Sequence, residues 1–177
     1  MPSGKTHDVI TILLAVPAFA AAFAATKSLS MSAVMAAAFL FGGLMFGPDL
    51  DTVSRQYSRW RIFRFIWLPY RKFFKHRSRF SHGLLFGAFG RVVYFMGVVT
   101  LIVVFAAYFY SAYSGGKLPN LFDFARVWEP VGEWTRLHLG EQFFLTAFAG
   151  LWFGAASHTF TDMAGSFIKT GRIAKFL

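Results

Sequence analysis

Histidine and carboxylate residues occur in four short groups along this chain of 177 residues. The groups are His7 with Asp8, Asp49 with Asp51, His76 with His82, and His158 with Asp162. Imidazole and carboxylate groups are general metal ligands, and the chain contains no cysteine, which excludes thiolate ligands and disulfides. Such ligands suit Zn, Mn or Fe better than Ca, and several carboxylates would permit one or two ions.

The spacing within two of these groups favours a shared ion. In "SHTFTD", His158 and Asp162 are four residues apart, so a helix would place both on one face. In "GPDLDT", Pro48 ends the preceding helix and two carboxylates alternate along an extended turn. Each group alone has an ordinary explanation: a solvated histidine, a capping turn or a hydrogen-bonded His–Asp pair. Together they indicate a function, because membrane proteins seldom hold so many ionisable groups without one.

The elements that must position these groups are membrane helices. Hydrophobic residues make up 56% of the chain and aromatic residues 20%, which is typical of a membrane protein. We predict an all-α polytopic fold with a single membrane domain over residues 1–177. Four apolar runs predict transmembrane helices at about 9–25, 31–47, 83–110 and 141–162.

The distribution of basic residues predicts the orientation of these helices. Lysine and arginine crowd the connection between the second and third spans, so we expect this connection and both termini to be cytoplasmic. All four His and carboxylate groups then lie at the cytoplasmic ends of helices. Because a bundle brings helix ends together, the topology predicts one cluster.

The same basic connection predicts a further element, an amphipathic helix over about residues 57–75. Its aromatic residues recur every three or four positions, with arginines on another face, as in a helix lying among anionic lipid headgroups. Pro69 should kink or divide it. We expect no nucleic-acid partner, since a membrane interface explains the aromatic residues. Arg91, about two turns into the third span, is expected to snorkel to the headgroups, the alternative being a pair with Asp49 or Asp162.

Four segments of the chain carry a family resemblance: "PSGKTHD", "GGLMFGPDLDT", "HRSRFSHG" and "GAASHTFTD". Over nearly its whole length the chain resembles the bacterial membrane-bound metal-dependent hydrolases, and most closely their short branch of metal-binding integral membrane proteins. The resemblance implies a protein of the bacterial inner membrane. It also implies metal ligation by His7, Asp49, Asp51, His76, His82, His158 and Asp162, with Arg77 beside them.

These features predict a hydrolase that acts on a lipid-like phosphate or ester at the cytoplasmic membrane surface. A metal would activate water, and Arg77 and Arg79 would bind an anionic head group through forked hydrogen bonds. The general base would be Asp8 or Asp51. Whether the protein is an enzyme stays open at this point.

The alternative is a noncatalytic structural or accessory subunit, bound to another membrane protein or to a second copy. In this subunit a metal or His–Asp pairs would only tie the helix ends together. A transporter is disfavoured, because the centres of the spans are apolar and unbroken except at Pro17.

Overall fold

A computed structural model describes residues 3–74, 83, 86–120, 122–123 and 126–171. All regular secondary structure in these residues is helical, which confirms the all-α prediction for the part described. The α-helices are α1 (Gly4–Thr26), α2 (Leu29–Leu44), α3 (Arg55–Arg59), α4 (Leu68–Phe73), α5 (Phe86–Ser114), α6 (Glu129–Leu139) and α7 (Phe143–Thr170). Two 3₁₀ segments, Pro48–Asp51 and Arg61–Trp67, lie in the connection between α2 and α5.

Three of the helices, α1, α5 and α7, are long and apolar enough to cross a membrane. They correspond to the first, third and fourth predicted spans. Helix α2 is apolar but has only 16 residues. At 1.5 Å per residue it is about 24 Å long, less than the thickness of a typical hydrocarbon core. The predicted count of four transmembrane helices is therefore not confirmed.

Helices α1 and α2 form the hairpin that brings the first two spans together. The Ser3 hydroxyl caps α1 by accepting the Thr6 N–H, and the Ser28 hydroxyl caps α2 in the same way. Between the helices Lys27 adopts a left-handed conformation with φ 54°, which ends α1 and reverses the chain.

Helix α7 packs against both members of this hairpin, and small residues permit the close approach. A Cβ atom at Gly154 would collide with the Phe39 carbonyl of α2, and one at Gly42 would collide with the Leu151 carbonyl of α7. The contact with α1 includes the buried hydroxyls of Thr11 and Ser157, 3.4 Å apart. This packing places the first turns of α1 beside the second half of α7.

The predicted amphipathic helix over 57–75 is divided into α3, the 3₁₀ segment and α4. Pro69 lies in the first turn of α4, in agreement with its predicted role as a divider. The prediction that the aromatic side chains of this segment face the lipid is wrong for Trp67 and Tyr70. Both are buried in a core with Phe46 and Leu50. The Trp67 ring packs against Phe46, just beyond the end of α2, with centroids 5.3 Å apart, and Tyr70 packs against Trp67 at 5.7 Å. The exposed apolar side chains of the segment are Ile62, Phe63, Phe65, Leu68 and Phe73.

Arg91 in α5 is buried at 2% exposure, so the prediction that it snorkels to the headgroups is wrong. Its Nε donates a hydrogen bond of 3.1 Å to the Phe46 carbonyl, just beyond the end of α2. The guanidinium also interacts electrostatically with Tyr70, Asp51 and Asp49, and Asp49 is one of the two partners of the paired alternative. Beside it, burial raises the pKa of Tyr70, so this hydroxyl keeps its proton.

Candidate metal centre

Three of the predicted ligands meet where α1 packs against α7. His7 comes from the first turn of α1, and His158 and Asp162 come from α7. All three are buried, with exposures of 5%, 4% and 2% respectively. One ligand atom from each lies within 4.8 Å of the others. The three residues form one cluster, as the topology predicts, but His158 and Asp162 lie well inside α7, which continues to Thr170, and not at its end.

The two imidazoles present their edges to a single carboxylate. His7 Nε2 lies 3.2 Å from Asp162 Oδ1, and His158 Nε2 lies 3.9 Å from Asp162 Oδ2. The rings are stacked, with centroids 3.8 Å apart and planes inclined by 13°. His158 and Asp162 share one face of α7, as their spacing predicts. The arrangement concentrates two nitrogen donors and one carboxylate in a small volume.

The donor set fits a divalent metal ion. Neither oxygen of the buried Asp162 carboxylate accepts a hydrogen bond from any residue that the structure describes. A buried carboxylate in this condition is costly, and a cation would satisfy it. Two ligands of a tetrahedral ion bonded at 2.0–2.1 Å should be about 3.4 Å apart. The observed separations of 3.2 and 3.9 Å are close to that value, and the ligand types suit Zn, Mn or Fe.

Of the two predicted aspartate ligands in the 3₁₀ turn, Asp49 lies beside this cluster. Its Oδ2 is 3.3 Å from His158 Nε2, and its side chain is 29% exposed. The Ser54 hydroxyl holds the turn by donating to the Asp49 carbonyl at 2.8 Å. Asp51 is buried at 6% exposure and lies in the electrostatic environment of Arg91. The predicted ligands His76 and His82, and the predicted substrate-binding residues Arg77 and Arg79, lie outside the described residues.

Asp8, one of the predicted catalytic residues, binds two arginines. Arg59 donates to both carboxylate oxygens at 3.0 and 2.6 Å, and Arg55 approaches one of them at 3.0 Å. Arg59 also donates to the Leu44 carbonyl at 2.7 Å, so the pair joins α1, the end of α2 and α3. Both arginines were counted among the basic residues that predict the orientation, and no partner was predicted for either of them.

Gln56 also contacts the cluster, although its role was not predicted. It is 4% exposed, and its amide nitrogen lies 3.2 Å from Nδ1 of His158. Glutamine carries no charge, and Gln56 directly precedes the predicted amphipathic segment and belongs to none of the motifs.

A cavity of about 320 Å³ adjoins the cluster. His7, His158 and Asp49 form part of its wall, and Arg55 and Asp8 also line it. Asp162 is buried and is not part of the lining. A small polar group could therefore reach the histidines.

A family model described as "Uncharacterized metal-binding protein (DUF2227)" matches residues 2–172. No curated protein and no solved structure matches the chain. The match supports the predicted metal binding. It does not show the predicted relation to hydrolases, which stays a prediction.

Proposed function

The chain belongs to this family of metal-binding proteins, and on that premise we propose that it is a metal-dependent hydrolase of lipid-like phosphates or esters at the cytoplasmic membrane surface. The observation that carries the proposal is the cavity beside His7, His158 and Asp49. A metal that only tied helices together would need no such cavity, whereas a catalytic metal must be reached by a substrate.

His7, His158 and Asp162 would hold the ion. Three protein ligands are the number that catalytic zinc sites use, and structural zinc sites usually have four. When bound, such an ion lowers the pKa of water and polarises a phosphoryl or carbonyl oxygen.

Asp49 is the general base in this proposal, in place of the Asp8 or Asp51 expected from the sequence. Asp49 lines the cavity and is partly exposed. Asp8 also lines the cavity, but guanidinium groups occupy its oxygens. Asp51 is buried. A base must reach the proton that it accepts, and Asp49 meets that condition best.

Arg55 would bind the anionic part of the substrate. Its guanidinium lines the cavity, its side chain is 53% exposed, and arginine binds phosphate through paired hydrogen bonds. Arg77 and Arg79 are proposed for the same role. The exposed apolar side chains between Ile62 and Phe73, interspersed with Arg61 and Arg64, would hold this region against anionic lipids.

The second candidate is a noncatalytic subunit in which the cluster is a staple, meaning a set of contacts that only joins α1 to α7. The contact that favours it is the stacking of His7 on His158, which links residues of the two helices without any ligand. Such a subunit would bind a membrane-protein partner or a second copy of the chain.

Elemental analysis of the purified protein, followed by assays on phospholipid vesicles and on soluble phosphomonoesters, tests the proposal. We expect one or two bound metal ions and hydrolysis that Asp49→Asn reduces without removing the metal. Asp123→Asn is the matched control, because Asp123 is exposed and accepts only local backbone hydrogen bonds in the described structure. Bound metal with no turnover of either substrate class would favour the staple, and absence of stoichiometric metal would overturn the metal centre.

A further inference from the structure

Gln56 connects three elements at the edge of the metal cluster. Its amide nitrogen donates to the Gly43 carbonyl of α2 at 2.8 Å, and its amide oxygen accepts the Asp49 N–H at 3.2 Å. The same nitrogen lies 3.2 Å from Nδ1 of His158 in α7. Gln56 is thus a buried polar residue in direct contact with a candidate ligand.

The two backbone partners fix which way the amide faces. A backbone N–H can only donate and a carbonyl can only accept, so the oxygen must face Asp49 and the nitrogen must face Gly43. Turning the amide over would place two donors together and two acceptors together in a buried site. Such unsatisfied buried groups are costly, so the observed orientation is strongly preferred.

This orientation determines the position of the proton on neutral His158. The second N–H of the amide faces Nδ1, so Nδ1 must accept and Nε2 must carry the proton. Nε2 in turn lies 3.3 Å from Asp49 Oδ2, so a proton on Nε2 lies beside a carboxylate. Gln56 and Asp49 together favour the tautomer whose Nε2 has no free lone pair.

A histidine that binds a metal through Nε2 needs the opposite tautomer. Metal-binding histidines usually donate their other N–H to a carboxylate or a carbonyl, which orients the ring and raises its basicity. Here the group facing Nδ1 is itself a donor. Building on the proposed metal centre, we propose that Gln56 is a positioning residue that holds the His158 proton on Nε2 and so weakens metal binding through that nitrogen.

The tautomer can be measured directly on protein stripped of metal with a chelator. Nitrogen NMR of ¹⁵N-histidine-labelled protein distinguishes a protonated from an unprotonated Nδ1. We expect unprotonated Nδ1 at His158 in the parent, and an increase in the Nδ1–H form in Gln56→Met, which removes the opposing donor. A protonated Nδ1 in the parent would overturn the proposal.

Metal titration provides the second measurement. Gln56→Glu places a carboxylate opposite Nδ1, and we expect its affinity for Zn²⁺ to rise about tenfold to a hundredfold. Gln142→Glu, the same change at an exposed position before α7, should leave the affinity unchanged. If Gln56→Glu fails to fold, Gln56→Met should still bind Zn²⁺ more tightly than the parent. Equal or weaker binding by folded Gln56 variants would overturn the proposal, because a purely structural glutamine predicts that result.

These outcomes are separate from the test of the proposed hydrolase. A parent protein that binds metal without turnover would contradict the hydrolase and leave the role of Gln56 to be decided by the tautomer and the titration. Conversely, a protein that hydrolyses phospholipids while its His158 carries the proton on Nδ1 would overturn the role of Gln56 alone.

Discussion

His7 and Asp8 are adjacent in the sequence but belong to two polar clusters of opposite character. His7 lies in the ligand cluster with His158 and Asp162, which is buried and whose carboxylate accepts no hydrogen bond from the described residues. Asp8 lies in an ion-pair cluster with Arg55 and Arg59, where guanidinium groups occupy both carboxylate oxygens.

The two clusters differ in what their carboxylates can do: the Asp8 carboxylate stabilises the fold, whereas the Asp162 carboxylate can still bind a cation. A carboxylate saturated with donors, like Asp8, has little further capacity for a cation. Asp162 is buried and accepts no hydrogen bond from the described residues, and the imidazole nitrogens of His7 at 3.2 Å and His158 at 3.9 Å lie beside it, so a bound cation would stabilise it. Neighbouring residues of one helix can therefore differ completely in role, because a rotation of 100° directs them to different surroundings.

The largest expected effect comes from removing the carboxylate of the ligand cluster. Asp162→Asn should abolish stoichiometric metal binding, since the variant loses the only charged ligand among the three. In protein stripped of metal the same variant should be at least as stable as the parent, because a buried carboxylate without hydrogen bonds has been replaced by a neutral amide. Elemental analysis and thermal unfolding in detergent measure the two effects.

The control for this variant is Asp123→Asn, which should change neither measurement. A metal-free Asp162→Asn protein that is clearly less stable than the metal-free parent would contradict the difference between the two clusters. It would mean that Asp162 stabilises the fold in the way that Asp8 does.

Arg91, unlike Asp162, is a buried charged group with a hydrogen-bond partner. Replacing it tests how much such a group stabilises the fold. Arg91→Met removes the hydrogen bond to the Phe46 carbonyl and leaves buried Asp51 with less compensation. We expect a loss of about 3 kcal/mol in the free energy of unfolding, as for other broken buried charge pairs. Arg126→Met, which alters an arginine with 74% side-chain exposure, should have little effect. Equal melting temperatures for the parent and Arg91→Met would contradict the structural role of Arg91.

The sequence predicted the fold most reliably where hydrophobic length decides the structure. Three of the four predicted spans correspond to long apolar helices, and the chain reverses between the first two predicted spans. It did not predict the inward packing of Trp67 and Tyr70 or the burial of Arg91. A lipid-facing side chain and a core side chain have the same period on a membrane helix, because both environments are apolar.

The i, i+4 spacing predicted that His158 and Asp162 share one face of α7, and the topology predicted that His7 lies near them, as the structure shows. The contacts of Gln56 and of Arg59 could not be predicted, because both depend on how a short connection folds back over α1 and α7. Helical periodicity says nothing about such a connection. Its polar partners are determined by tertiary packing, which a single sequence does not display.

An intermediate effect is expected when the ion-pair cluster loses its carboxylate. Asp8→Asn removes the charge that receives Arg59 and Arg55, and we expect a loss of about 1–2 kcal/mol in the free energy of unfolding. Metal content should stay at the parental level, since Asp8 contributes no ligand atom to the cluster. Chemical denaturation and elemental analysis check the two statements. Loss of metal in a folded Asp8→Asn protein would show that the two clusters are not independent.

The smallest effect is expected for Arg55→Gln. This variant compares the contributions of Arg55 and Arg59 to stability within the ion-pair cluster. The Arg55 side chain is 53% exposed against 31% for Arg59, and it makes one contact with Asp8 where Arg59 makes two. Exposed pairs of this kind contribute about 0.5 kcal/mol or less, and salt screens them. The loss in stability should therefore be small at low ionic strength and disappear in about 1 M NaCl, where the Debye length is about 3 Å. Arg59→Gln is the matched variant, and its larger loss should persist in salt because the hydrogen bond to the Leu44 carbonyl is also removed.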